Sequence, residues 1–309
     1  MAIFNIGATG GNSNEASYEN TDARLGFFGA SASYIRSGFF SLSSNYTYTY
    51  SSALNDIARA QRVYTTFYIS APYVSWIGSS AFAYNNYIQE IICPNCTTVY
   101  SDAFMSAQGL KTLELTNCSD FQASLYYMSN LQTLTVSSEC YVTMYNTWCY
   151  SAPELTTVIG GFGISSSHYS AIFASCAKLT GSITFINSYH TNVLISNCAT
   201  GRSLSLYYPN FIGGSNSSPY YFYTAEYYLT SQIDIYLPKA QYIRCFTTGA
   251  SKVNIYFNNI SAVPTLTSSG STNLFTSATS IKIYVPSSLY TNFRNATNWT
   301  TIKNYIYSI

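Results

Sequence analysis

Charge is scarce in this chain. Asp, Glu, Lys and Arg together make up 8% of its 309 residues, against about 25% in an average soluble domain. With 13 basic and 12 acidic residues there is no net field to attract nucleic acid or an anionic membrane surface. Histidine is rarer still, at two residues, which argues against Ser-His chemistry. No window reaches the roughly 20 apolar residues of a membrane-spanning helix, so no membrane insertion is expected. The opening MAIFNIGATGGNSNEASYEN lacks a basic stretch followed by an apolar core, and no secretory signal is expected. There is no G-x-G-x-x-G, no Walker loop and no G-x-S-x-G. Asp102, Glu114, Asp120, Glu139, Glu154, Glu226 and Asp234 are scattered, whereas a glycosidase or solenoid lyase needs carboxylates projecting together. The chain is expected to be a non-enzyme, without cofactor or metal.

Polarity comes instead from Ser, Thr, Asn and 32 tyrosines. Tyr, Thr, Ile and Val favour strands, while Asn, Ser and Gly favour turns. Tyr also offers large contact area at low entropic cost, which suits exposed binding or assembly. Seven Asn-x-Ser/Thr sequons, at Asn45, Asn95, Asn117, Asn216, Asn259, Asn295 and Asn298, are close to chance in so Asn-, Ser- and Thr-rich a chain.

The cysteines reveal the organisation. Cys96, Cys118 and Cys140 stand at intervals of 22 residues, and so do Cys176 and Cys198. The segments between them align: residues 81–96 read AFAYNNYIQEIICPNC, residues 103–118 AFMSAQGLKTLELTNC, and residues 125–140 LYYMSNLQTLTVSSEC. The second holds Leu110-x-x-Leu113-x-Leu115-x-x-Cys118; the first has Ile88, Ile91, Cys93 and Cys96 at the same offsets; the third has Leu131, Leu134 and Val136, with Cys140 one residue late. A period of this length marks stacked coils, each adding one short parallel strand, because no single coil buries its own apolar side. Cys93 and Cys96 form a Cys-x-x-Cys that invites a metal or redox reading. The register explains both as small buried hydrophobes, since they match Leu115 or Val136 and Cys118 or Cys140. His168 and His190 each precede a cysteine, Cys176 and Cys198, by eight residues; a repeated position accounts for them better than a metal quartet. In IFASC176AKL and LISNC198ATG the cysteine stands ahead of the strand, unlike in the first ladder.

Ala81-Phe82, Ala103-Phe104 and Ile172-Phe-Ala-Ser-Cys-Ala-Lys-Leu179 resemble the A-F-x-x-C-x-x-L element of BspA-type leucine-rich repeats, and Ile77-Gly-Ser-Ser-Ala-Phe82 resembles the I-G-x-x-A-F element. Ile281-Lys-Ile-Tyr-Val-Pro286, followed by SSLYTNFRNATNW and a helix-like IKNYI, is similar to the closing segment of such proteins. The resemblance covers residues from about 60 to 309. It implies a β-rich right-handed horseshoe of about nine or ten degenerate turns of about 22 residues, with a parallel sheet on its concave face. It also implies a binding or adhesion scaffold without catalytic machinery. Leu is often replaced by Ile, Val or Tyr, and 211–240 and 261–288 run long.

The expected division is an N-terminal cap or anchoring segment over 1–45, the repeat solenoid over 46–288 and a capping segment over 289–309. The first carries two pairs, Phe27-Phe28 and Phe39-Phe40, which serve either a cap or an anchor that plugs into another chain. Later strands read SLSLYYP, QIDIYLP, KVNIYFN and SIKIYVP. Alternation turns Tyr207, Tyr236, Tyr256 and Tyr284 outward if Leu206, Ile235, Ile255 and Ile283 point inward. Ser205, Asp234, Asn254 and Lys282 lie beside them. The stripe reads either as a ligand face, for a glycan or a protein, or as a self-stabilising aromatic ladder. The expected partners are a protein or glycan receptor, other virion proteins or copies of the same chain, in a homo-oligomer or larger assembly. The composition and missing signal look like bacteriophage fibre, decoration or attachment proteins, made in the cytoplasm and displayed on the virion. A bacterial or protist surface adhesin, a filament subunit and a carbohydrate-active solenoid enzyme are the alternatives.

Overall fold

A computed structural model describes residues 3–5, 23–26, 34–35, 67–70, 74–86, 88–143, 147–164, 172–187, 195–199, 201–213, 232–243, 250–266 and 278–309. Phe27, Phe28, Phe39, Phe40, His168 and His190 lie outside the described residues. The chain divides into two compact units, residues 1–144 with 148–160, and residues 161–309 with 145–147. Each is a parallel β-solenoid.

In the first unit one sheet runs through Ile3–Asn5, Ala23–Gly26, Phe67–Ser70, Ile88–Ile92, Thr112–Glu114, Thr133–Thr135 and Thr157–Ile159, every pairing parallel. The parallel ladder thus includes strands from within residues 1–45. A second sheet takes Tyr34–Ile35, Trp76–Ile77, Thr98–Val99, Asp120–Phe121 and Cys140–Val142, and Leu125–Tyr126 pairs with Cys149–Tyr150. Between the sheets the inward residues form rows along the stack: Ile91, Leu113 and Leu134; Cys93, Leu115 and Val136; Cys96, Cys118 and Cys140; Val99, Phe121 and Val142, all buried. Phe82 stacks on Phe104 at 5.6 Å, and Phe121 meets Trp148 edge-on at 5.0 Å. Each coil sits on the next with like on like, so the apolar residues that a lone coil would expose are covered by its neighbours.

The abundance of hydroxyls and amides has a local cause. Carbonyls at the turns between strands have lone pairs to spare, and side chains of the adjoining coil donate to them. Thr97 Oγ1 donates to the Ser75 carbonyl, Thr116 Oγ1 to that of Pro94 and Asn130 Nδ2 to that of Gln108, each across 22 residues. Thr156 reaches Gln132 across 24. The bends also recur: Tyr84, Ser106, Tyr127 and Ser151 all hold φ between 52° and 59°, a left-handed conformation repeated at the same corner of successive coils.

In the second unit the main sheet runs through Gly161–Ile164, Gly181–Phe185, Leu204–Tyr207, Gln232–Tyr236, Lys252–Tyr256, Ser280–Val285 and Ile306–Ser308. Two shorter pairs, Phe173–Ala174 with Ile195–Ser196 and Tyr242–Ile243 with Thr265–Leu266, are also parallel. Coil length is less uniform here. Asn254 reaches Asp234 across 20 residues, and Thr279 reaches Ser251 across 28. The strands stay in register because the extra residues are inserted between them. Among the described residues helix is confined to a short α-helix, Tyr290–Asn295, and two 3-10 segments, Ser287–Leu289 and Trp299–Tyr305. Phe293 and Trp299 from this region pack on Phe257 at 5.6 Å and 5.9 Å, and the Trp299 indole donates to the Pro264 carbonyl at 2.7 Å.

Candidate functional site: a tyrosine ribbon on one sheet face

Four strands of the second unit share one alternation. Leu206, Ile235, Ile255 and Ile283 are fully buried, so the residues on either side of them face out. The register then aligns outward residues across the strands, placing Tyr207 opposite Tyr236, Tyr236 opposite Tyr256 and Tyr256 opposite Tyr284. Parallel strands are about 4.8 Å apart, close to the separation of stacked aromatic rings, and the rings adopt it. Tyr207 and Tyr236 stack with centroids 4.3 Å apart and planes 1° from parallel. Tyr236 and Tyr256 follow at 4.6 Å and 9°, Tyr256 and Tyr284 at 4.8 Å and 10°.

A fifth ring extends the series. Tyr307, in the strand Ile306–Ser308, pairs with Tyr284, and the rings lie 5.9 Å apart at 40°. Sequence reasoning missed it because the strand is three residues long and follows a helical segment. The available signal was the repeated Ile-Tyr of Ile306-Tyr307, matching Ile283-Tyr284 and Ile255-Tyr256. Tyr207 and Tyr307, at the two ends, are 38% and 43% exposed, while the inner rings shield one another.

Two residues before each of the first four tyrosines runs a polar row, Ser205, Asp234, Asn254 and Lys282, aligned by the same pairings. Asp234 is fixed through one oxygen: its Oδ1 accepts from Asn254 Nδ2 at 2.7 Å and from Gln232 Nε2 at 3.0 Å. The Lys282 ammonium lies 5.7 Å from the centre of the Tyr307 ring, within cation–π range. Burial by neighbouring rings pushes the Tyr236 phenol up to about 12, helped by Tyr207 and Asp234. Tyr256 is raised for the same first reason, with Asp234 next. Both phenols are therefore neutral hydrogen-bonding groups at ordinary pH.

The cysteines make separate, interior rows, one in each unit. Cys96, Cys118, Cys140, Cys176 and Cys198 are fully buried, as are Cys93 and Cys149. Cys96 donates to the Thr98 carbonyl at 3.4 Å and Cys198 to that of Ser196 at 3.2 Å. Burial lifts the Cys96 thiol to about 12. The Cys118 thiol is held still higher by its hydrogen bond with Cys140 and by burial. Burial, then Cys176, raises Cys198. Among the described residues no three His, Cys, Asp or Glu side chains gather in a metal-binding arrangement, and no helix is long and apolar enough to cross a membrane.

No protein-family model and no curated protein matches this chain.

Proposed function

We propose that this protein is a non-catalytic binding module on a degenerate, BspA-type leucine-rich-repeat scaffold, and that its working surface is the tyrosine ribbon of the second unit. The observation that carries the reading is the in-register series Tyr207, Tyr236, Tyr256, Tyr284 and Tyr307, presented on a sheet face beside a row of polar groups. A purely structural aromatic ladder could equally stand inside the core, where Phe82 and Phe104 already stack. Here the aromatic area is kept at the surface, where Tyr is the residue type most used for recognition. Asp234 is the single carboxylate in its row, which favours binding over the paired-carboxylate chemistry of a glycosidase. Low charge and a hydroxyl-rich composition favour display outside the producing cell, on a virion or another surface.

The test compares the wild-type chain with a Tyr236→Ala/Tyr256→Ala variant on glycan and protein arrays, with light scattering of each to record self-association. At least one ligand class, or self-association itself, is expected to weaken tenfold or more in the variant. Binding that is unchanged throughout, with both proteins folded, would remove the ribbon as the working surface.

A further inference from the structure

Resting on that reading, we infer that the ribbon's ligand is a neutral, linear polysaccharide lying along the stack and held through its hydroxyl groups rather than by stacking on ring faces.

The first argument is geometric. A sugar that packs on an aromatic side chain needs an open ring face, and the inner rings have none. Tyr236 stands between rings at 4.3 Å and 4.6 Å, and Tyr256 between rings at 4.6 Å and 4.8 Å. What a ligand meets is their outer ends, a file of phenol hydroxyls repeating once per strand. The stacking itself, with Tyr207 and Tyr236 1° from parallel, holds the file in order. A phenol hydroxyl both donates and accepts, as sugar hydroxyls do. The strand repeat of about 4.8 Å is close to the advance of one sugar unit in an extended chain.

The second argument is the polar row. Gln232 and Asn254 hold Asp234 by Oδ1, and its Oδ2 has no protein partner among the described residues. A carboxylate oxygen fixed in place and left open is a strong acceptor for a hydroxyl. Asn254 and Ser205 flank it in the row.

The third argument is charge. Asp234 near the middle of the row opposes a polyanion, while Lys282 at its end, over Tyr307, and the exposed Lys252 oppose a polycation. A neutral polymer rich in hydroxyls meets neither penalty.

The test is native affinity electrophoresis of the full chain through gels carrying soluble polysaccharides. A β-linked glucan, an α-linked glucan and a mannan form the neutral set, with a polyuronate and a polyglucosamine as the charged set. At least one neutral polymer is expected to retard the protein, and neither charged polymer to do so. Tyr236→Phe/Tyr256→Phe keeps the stack and removes two hydroxyls; it is expected to weaken retardation about tenfold, the loss of one to two hydrogen bonds. Asp234→Ala should weaken it at least as much, with circular dichroism and melting confirming that each variant is folded. Full retention by the Phe variant would show that ring faces do the binding and would overturn the inference. So would preference for a charged polymer, or the absence of any neutral polymer that binds. If ribbon-dependent binding to a protein or to another copy of the chain appeared on the arrays instead, the binding reading would stand and only the ligand class would fall.

Discussion

Asn187 ties its coil to the preceding one by imitating a strand partner. Its Oδ1 accepts from the Ile164 N–H at 2.7 Å and its Nδ2 donates to the Ile164 carbonyl at 3.2 Å, so one side chain satisfies both backbone groups of a residue at the end of the strand Gly161–Ile164. Removing it leaves two partly buried polar groups unmet, each costing about 1 kcal/mol. Asn187→Ala is expected to lower stability by about 2 kcal/mol, measured by chemical denaturation; a loss below 0.5 kcal/mol on that scale would mean that water replaces the amide. A second residue-level effect lies at the repeated corner. Ser106 has a φ of 52°, where a β-branched side chain is strained and glycine is not. Ser106→Val should destabilise by about 1–2 kcal/mol, whereas Ser106→Gly should be neutral or slightly stabilising, strain relief offsetting the greater unfolded-state entropy. If the two variants melted together, the corner would not impose the conformation.

At the scale of the element, the ribbon stabilises the sheet as well as presenting a surface. Tyr236 has two stacked neighbours, and aromatic pairs contribute about 0.5–1.5 kcal/mol each. Tyr236→Ala should therefore cost about 1–3 kcal/mol in a thermal or denaturant melt, while Tyr236→Phe should cost little. Equal losses in the two would place the stabilisation in the hydroxyl rather than the ring. Much of this element is legible in the sequence, for a physical reason. A strand buried on one face must alternate, so Leu206-Tyr207, Ile235-Tyr236, Ile255-Tyr256 and Ile283-Tyr284 announce both the inward row and the outward one. In the first unit Leu113 and Leu134, burying the same face of paired strands, are equally readable. Tyr307 is not, because three residues carry too little alternation to be distinguished from the preceding helical turn. The anchoring of Asp234 by Gln232 and Asn254 is not readable either. It requires the register between strands, and coils of 20 and 28 residues hide that register from any fixed period. Nor does the sequence reveal that carbonyls such as those of Ser75 and Gln108 are met by Thr97 and Asn130, since Thr and Asn are common at every turn.

Over the whole molecule, buried acids that stay protonated couple the fold to alkali. The Cys96 thiol rises from an ordinary value of 9.0 to about 12 in the folded chain, and Cys118 and Cys198 are raised as well. The Tyr236 phenol rises from 10.0 to about 12. Between the unfolded and folded values the folded protein binds more protons than the unfolded chain, so stability falls as pH increases. Below pH 9 both forms keep these protons and the contribution is complete; above it, the unfolded chain ionises first and gains. Melting temperature is expected to be flat with respect to these groups up to about pH 9 and to drop steadily from there to about pH 12. Thiols so placed are also poor nucleophiles, because the thiolate is the reactive form. At pH 8 a disulfide reagent should find Cys96, Cys118 and Cys198 unreactive in the native chain and label them at the rate of unfolding in denaturant. A melting temperature that held constant to pH 12, with these thiols reacting rapidly below the melt, would mean that the cysteine rows are open to solvent and that the coils are not closed around a dry core.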